Sequence, residues 1–367
     1  MSTSTSDSWQ ELFATANSGS SVTLHAVLRG GKPFLFLPAN NCAASAALEI
    51  YPAQTSKARL AKTVLGLMLR VGLRPGLQKS SLRIADTDPF AAFLRATARV
   101  EPGEPFSFAV LTGNPSAPGR RHVFLLFNST SQPVAVVKAG ASSRARELIT
   151  HEVSLLSNIG SNHSGLPKLT GVCELDNLSA FAMDFIKGTS PRDNSSIELG
   201  KICSSWVDSQ KEIALGETDA WKRLVRCYDH TVLPDAVSQL AARRIHPVLM
   251  HGDFAPWNVK ASSGGWTVLD WERGERVGIP AWDWFHFVMQ PAVLVRKEAT
   301  ESTLNKISTL FTSQEFQRYA SLTGIAGLEW PLALAYVDFC IHVTQQTEGL
   351  NLLTQLRAAL LDCQATK

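Results

Sequence analysis

The segment from Val248 to Glu272 does most to limit what this chain can become. Two apolar runs, Val248–Met250 and Val268–Leu269, each lead directly into carboxylates. The first enters His251-Gly252-Asp253-Phe254-Ala255-Pro256-Trp257-Asn258 and the second enters Asp270-Trp271-Glu272. Short apolar runs bounded by turn residues read as buried strands. An Asp and an Asn five residues apart on one tight loop can face one pocket, and the turn Ser262–Gly265 lets the second strand return Asp270 to it. Buried carboxylates are costly unless cations neutralise them. The segment therefore demands strands that deliver Asp253, Asn258 and Asp270 to one cleft.

The rest of the chain changes period along its length. Residues 1–20 are Ser/Thr-rich and read as a frayed tail. Val22–Leu28 and Pro33–Leu37, split by Gly30–Gly31, read as a hairpin, followed by helices over Ser56–Val71 and Asp88–Ala98. Glu101–Pro105 (EPGEP) reads as a linker. Strands follow over Phe106–Leu111, His122–Asn128 and Val134–Lys138, then a helix over Ala145–Ile159 and strands over Leu169–Cys173 and Ala180–Phe185. From Gly188 onward helical patterns dominate. Strands followed by helices fit a two-lobed α+β unit. The expected parts are an accessory α/β region over 21–100, a small β-rich lobe over 106–186 and a larger helical lobe over 187–367.

Phosphoryl transfer needs an acceptor hydroxyl in line, a carboxylate to receive its proton and divalent cations on the phosphates. Magnesium takes hard oxygen ligands. The ordered set H-G-D-x-x-x-x-N, an apolar strand and D-W-E resembles the catalytic and metal-binding loops of aminoglycoside phosphotransferases and their relatives, the choline, ethanolamine, homoserine and fructosamine kinases. The resemblance covers roughly residues 106–290 and implies a protein-kinase-like fold. It implies Asp253 as catalytic base and Asn258 and Asp270 as Mg2+ ligands. It gives Glu272 a supporting place beside the metal, and makes Asp283, in Pro280-Ala281-Trp282-Asp283, a brace for the catalytic loop. His251 is implied to hold that loop by hydrogen bonds.

That reading makes demands upstream. A strand lysine must hold the nucleotide phosphates and a helix glutamate must hold the lysine. Lys138 ends the apolar run Val134–Val137, where the lysine of a V-A-I-K-like strand sits. Leu148, Glu152, Leu155 and Ile159 share one helix stripe, so Glu152 lies on an apolar face and needs a cation; Glu147, off that stripe, is the fallback. The nucleotide loop, Thr112–Arg121, lacks a G-x-G-x-x-G pattern and carries two prolines that remove backbone donors. Ser116, Gly119 and Arg121 are its candidates for phosphate contact, and a plain hairpin loop is the alternative. In this fold adenine meets backbone groups, here about Met183–Ile186 with Met183 and Phe185, so ATP and GTP stay equally open as the nucleotide.

Gly252 replaces the Arg, and D-W-E the D-F-G, of protein kinases, and the gap from Asp270 to Asp283 is too short for their activation segment. A small-molecule hydroxyl substrate is favoured: a sugar, an amino alcohol or an aminoglycoside. Trp257, Trp266, Trp271, Trp282 and Trp284 crowd one stretch. Core packing accounts for most of them, and Trp257 is the one placed to meet an acceptor. No acidic cluster suited to a polycation is visible. The alternative to an enzyme is a non-catalytic kinase-fold binding module acting through its N-terminal region.

Composition excludes other classes. The chain has 367 residues and a net charge of only +3, without a concentrated basic patch, which argues against a nucleic-acid partner and against a membrane-surface protein. No apolar run reaches the roughly 20 residues needed to span a bilayer, so no membrane partner is expected. The start, MSTSTSDSWQEL, lacks the pattern of a signal peptide, and six scattered cysteines read as reduced thiols of a cytoplasmic protein. A homodimer through the N-terminal region is a candidate assembly.

Overall fold

Period-2 burial organises the first half of the chain. In the computed structural model, which describes residues 9–101, 104, 106–114, 119–160, 163–191, 196–228 and 233–365, the contacts divide the chain into two units. These are residues 1–157 with 167–186, and residues 158–166 with 187–367. The architecture is α+β, sheet-rich first and helical second.

The first unit contains β1 (Thr15–Arg29), β2 (Lys32–Pro38), α1 (Asn41–Ala47), α2 (Ser56–Arg70), β3 (Gln78–Ile84) and α3 (Pro89–Ala98). It continues with β4 (Ser107–Thr112), β5 (His122–Phe127), β6 (Pro133–Gly140), α4 (Ser143–Asn158), β7 (Leu169–Leu175) and β8 (Leu178–Asp184). All eight strands form one antiparallel sheet in the order β3-β1-β2-β4-β5-β6-β8-β7. Side chains alternate across it. Phe124 and Leu126 pack on one face with Phe90, Phe108 and Leu94. Leu125 and Phe127 pack on the other with Leu35, Leu37 and the α1 alanines Ala43, Ala44 and Ala47. With both faces covered, β5 reads as a continuous apolar run, HVFLLF, rather than an alternating one.

Three features depart from the sequence expectation. The tail expected over 1–20 is not frayed at residues 9–20. Trp9, Leu12 and Phe13 are buried, with Trp9 5.2 Å from Phe36 and Phe13 5.1 Å from Phe90 between ring centroids, and β1 begins at Thr15. Aromatic burial outweighs the entropy of the polar residues around it. Residues 21–100 share one sheet with 106–186, because β2 pairs with β4 through Leu35↔Leu111 and Phe36↔Val110. Two elements were absent from the reading. α1 is short and Ala-rich, capped by Asn40, which accepts from the Ala43 N–H at 3.0 Å. β3 is a polar edge strand with only Leu82 and Ile84 buried.

The second unit is mostly helical. Its short strands are β9 (Ile213–Ala214), β10 (Arg244–Ile245), β11 (Val248–Met250), β12 (Val259–Ser262), β13 (Gly265–Val268) and β14 (Glu275–Gly278). They pair as β10-β9, β11-β14 and β12-β13. The helices are α5 (Ser196–Ser205), α6 (Asp219–Arg226), α7 (Asp235–Ser238), α8 (Trp282–Gln290), α9 (Thr300–Thr312), α10 (Gln314–Thr323), α11 (Glu329–His342) and α12 (Leu350–Ala365). Trp266, Trp271, Trp282 and Trp284 are buried here as core, and Trp257 is half-buried. Among the described residues, no two of the six cysteines form a disulfide. Among the described residues, no helix is long and apolar enough to cross a membrane.

Candidate active site

β11 is fully apolar and buried, and it carries the chain into a loop whose backbone is spoken for at each step. Asp283, at the first turn of α8, accepts the His251 N–H at Oδ2 (2.7 Å) and the Gly252 N–H at Oδ1 (3.0 Å). Burial pushes the Asp283 carboxyl up, and the two N–H donors only partly oppose this. His251 is wholly buried. Its Nε2 lies 2.9 Å from the Leu269 carbonyl oxygen, and its Nδ1 accepts the Asp253 N–H at 3.1 Å. A carbonyl can only accept and an N–H can only donate, so His251 is the neutral Nε2–H tautomer. It ties the two loops together and has no nitrogen left for chemistry.

Gly252 has φ +76°, and a Cβ there would lie 2.7 Å from the Arg273 carbonyl oxygen. Both the left-handed backbone and the close approach require glycine. The turn it makes presents Asp253, whose side chain is 30% exposed and so reachable. Asn258 Nδ2 donates to the Asp253 carbonyl oxygen (2.8 Å) and to its Oδ2 (3.0 Å). With its amide nitrogen engaged there, Asn258 has its hard oxygen, Oδ1, to offer a cation.

The β12-β13 hairpin places the second loop beside the first. Val259 pairs with Val268, and the Leu269 N–H donates to the Asn258 carbonyl oxygen at 2.7 Å. Asp270 follows Leu269 immediately, with φ +72°. Asp tolerates the left-handed region better than most residues, but it is uncommon for a non-glycine. Asn258 and Asp270 thus flank the open end of the β12-β13 ladder, and both carry hard oxygens, the ligand type that Mg2+ takes. Trp271 is buried with Nε1 on the Val268 carbonyl oxygen (2.8 Å), and Glu272 is half-buried one residue beyond it.

Asp253 has a further partner that sequence reasoning missed. His286, on α8 and 8% exposed, places Nε2 3.0 Å from Asp253 Oδ1. Its Nδ1 lies 3.0 Å from the hydroxyl of Tyr336 on α11. Burial holds the Tyr336 hydroxyl well above its usual pKa, so it stays protonated and can donate. Gln290 Nε2 donates to the Tyr336 oxygen (3.2 Å), and Gln290 and Gln346 exchange amide hydrogen bonds at 3.0 Å each way. Gln290, Tyr336 and His286 thus form one hydrogen-bonded chain that ends on Asp253. Burial raises the Asp253 pKa, but the His286 hydrogen bond and charge, with Arg273 adding, lower it further, and the net lies below the ordinary carboxylate value.

Asp253, Trp257 and His286 line a cavity of about 320 Å³, which Arg273, Tyr336 and Glu348 also reach. That is at the small end for a ligand site.

The remaining expected residues lie in the first unit. Lys138, near the end of β6, and Glu152, on α4, are 7% and 0% exposed and meet at 2.6 Å between Nζ and Oε2. The Lys138 ammonium also stands 5.9 Å from the centroid of the Phe181 ring. On α4 the buried stripe is Ala145, Ile149, Glu152 and Leu155. Glu147 is exposed and pairs with Arg144 at 2.9 Å, so it is not the partner of Lys138. Ser116 lies outside the described residues. Arg121 Nη1 donates to the Gly119 carbonyl oxygen at 2.9 Å. Met183 lies within β8, paired with Val136 and Leu169, and the Phe185 N–H is engaged by the Val134 carbonyl oxygen at 3.0 Å.

No family model matches the sequence, and a search of curated proteins finds no match. Solved structures do resemble the chain. A thermostable variant of aminoglycoside phosphotransferase APH(4)-Ia, in a ternary complex with ADP and hygromycin B, is similar at 13% identity, over 74% of this chain and 97% of that one, with a TM-score of 0.46. A protein assigned as fructosamine-3-kinase from Haemophilus somnus is similar at 12% identity, over 74% and 96%, with a TM-score of 0.42. The streptomycin–ATP complex of APH(2")-IIa is similar at 14% identity, over 68% and 87%, with a TM-score of 0.41.

Proposed function

We propose that this protein transfers the γ-phosphoryl group of ATP or GTP to a hydroxyl of a small metabolite, with Asp253 as the base. The observation that carries the reading is the placement of Asp253. A reachable carboxylate opens on a small cavity, held at one oxygen by Asn258 and at the other by His286, beside a hairpin end that offers hard oxygens.

The acceptor hydroxyl donates its hydrogen bond to Asp253, and its oxygen forms a bond to the γ-phosphorus. The bond from that phosphorus to the β–γ bridging oxygen breaks, the nucleoside diphosphate leaves, and the hydroxyl proton passes to Asp253. A carboxylate of lowered pKa is too weak a base to ionise an alcohol beforehand. Its work is to orient the hydroxyl and take the proton as the new bond forms, which suits the loose transition state of this chemistry. Asn258 Oδ1 and the Asp270 carboxylate would hold Mg2+, which neutralises phosphate charge when bound. Lys138, kept extended by Glu152, is assigned to the nucleotide phosphates, and the backbone about Met183–Ile186 to the adenine or guanine side. His251 and Asp283 keep the catalytic loop in shape.

The test is a mass-spectrometric screen for phosphorylated products after incubating the full-length protein, Mg2+ and ATP or GTP with a cell metabolite extract. A product that is absent with Asp253→Asn, while that variant still binds nucleotide, is the expected result. Absence of Mg2+-dependent nucleotide binding overturns the reading. Nucleotide binding without any product favours a non-catalytic module instead.

A further inference from the structure

Helix α2 carries its apolar residues on the wrong side for a core helix. Leu60, Val64, Leu67 and Val71 are 67%, 42%, 59% and 73% exposed, and Leu73 just beyond is 59% exposed. Their spacing of four, three and four residues makes one stripe along the helix. The inward side is thin: only Leu69 is buried, with Leu65, Gly66 and Met68 half-buried, and Lys62 is drawn in to donate to the Tyr51 carbonyl oxygen at 3.0 Å.

The flanks of the stripe carry one sign of charge. At 100° per residue, Lys57 falls on one side of it and Arg59 and Arg70 on the other, and α2 contains no acidic residue. All three basic residues are exposed. An outward apolar stripe between basic flanks is the pattern of a helix that lies in a membrane interface. There the apolar side chains enter the headgroup–acyl boundary and the cations meet anionic headgroups. Two copies of α2 facing each other would set basic flank against basic flank with no carboxylate to relieve them, so charge disfavours a second copy.

We propose that α2 is a docking surface for an anionic lipid membrane, holding the protein on the membrane without spanning it. The sequence expectation of no membrane partner rested on the lack of a spanning run, a criterion that a surface helix of 15 residues escapes, and on the lack of a concentrated basic patch, whereas Lys57, Arg59 and Arg70 are brought onto one helix surface only by folding. The inference is independent of the phosphotransfer reading.

The test is co-sedimentation of the full-length protein with vesicles of pure phosphatidylcholine and with vesicles containing about 30 mol% phosphatidylserine. Binding to the phosphatidylserine vesicles at least about tenfold above binding to phosphatidylcholine, and lost at high salt, is expected. The double variant Leu60→Ser/Leu67→Ser and the triple variant Lys57→Gln/Arg59→Gln/Arg70→Gln are each expected to lose that binding by about tenfold or more, with unchanged thermal midpoints. Binding that is absent, equal on both vesicle types, or insensitive to the stripe variant overturns the proposal. Light scattering of the wild type supplies a second arm. A dimer that becomes a monomer with Leu60→Ser/Leu67→Ser, without vesicle binding, assigns the stripe to a second copy and also overturns it.

Discussion

His286 Nε2 stands 3.0 Å from Asp253 Oδ1, and the Tyr336 hydroxyl 3.0 Å from the other ring nitrogen locks the imidazole that makes this contact. A base held at both oxygens, by His286 and Asn258, has one orientation in which to meet a hydroxyl. His286→Ala should therefore lower kcat by about 10- to 100-fold with little change in nucleotide affinity. His286→Gln, which keeps a donor, should recover part of the loss, and Tyr336→Phe should cost less than His286→Ala. Nucleoside diphosphate release on an acceptor identified by the product screen measures all three. Equal kcat in wild type and His286→Ala would remove His286 from the site.

Lys138 and Glu152 form a buried pair, and breaking one side strands the other charge. Glu152→Ala should cost about 3–5 kcal/mol of stability by urea unfolding. The double replacement Lys138→Met/Glu152→Leu should cost clearly less, because no charge is left unpaired. Both variants should lose nucleotide affinity, so binding and stability separate in the double variant. A double variant as unstable as Glu152→Ala would mean that packing, not charge, dominates there.

Gly252→Ala meets two obstacles at once, a left-handed backbone and the Arg273 carbonyl oxygen 2.7 Å from the new Cβ. The backbone term alone is about 1–2 kcal/mol. The loop must shift to relieve the contact, which moves Asp253 off its two partners. A fall in turnover larger than the fall in stability is the expected signature, read from kcat and from the urea midpoint of the same preparation.

His122 is buried on β5, and burial together with the Arg120 charge lowers its pKa to about 3. Its unfolded value is near 6.5, so between about pH 6.5 and 3 the unfolded chain binds a proton that the folded chain refuses. The His122 contribution to stability is complete above pH 6.5 and falls with acidification by about 1.4 kcal/mol per pH unit. His122→Asn should flatten the acid limb of a plot of unfolding free energy against pH. An unchanged slope would show that His122 ionises in the folded protein.

Asn258→Ala removes an oxygen offered to the cation and a donor that holds Asp253, whereas Asp270→Asn removes a carboxylate offered to the cation and leaves the Asn258–Asp253 hydrogen bond in place. Both should raise the Mg2+ concentration needed for half-maximal nucleotide binding by about tenfold or more, and EDTA should abolish turnover. Asn258→Ala should in addition lower kcat at saturating Mg2+. If excess Mg2+ restored both variants fully, Asn258 would have no role in orienting Asp253.

Strands followed by helices were legible because β4 to β8 are short apolar runs with turn residues between them. The pairing of β2 with β4 was not legible. It joins segments separated by α1, α2, β3 and α3, and local patterning carries no record of such a contact. The same distinction holds at the site. Asp253, Asn258 and Asp270 sit within one contiguous stretch whose spacing can be read directly. His286, Gln290 and Tyr336 lie on buried faces of α8 and α11 among aromatic neighbours, where a polar residue at a core position was the only signal. The α2 helix was legible over Ser56–Val71, but not the apolar face that it turns outward. Sequence alone assigns such a face to the core by default, and only the coordinates show it turned outward.

The strand order also governs how the chain is made. The β1-β2 hairpin leaves the ribosome early, yet the neighbour that closes the free side of β2 is synthesised only after four further elements. For on the order of several seconds of translation, Leu35, Phe36 and Leu37 wait on an open strand edge with both faces apolar. An edge of that kind recruits strands from other chains. Slow synthesis, low temperature or a holding chaperone during this interval should decide the yield of native protein more than any change at Asp253.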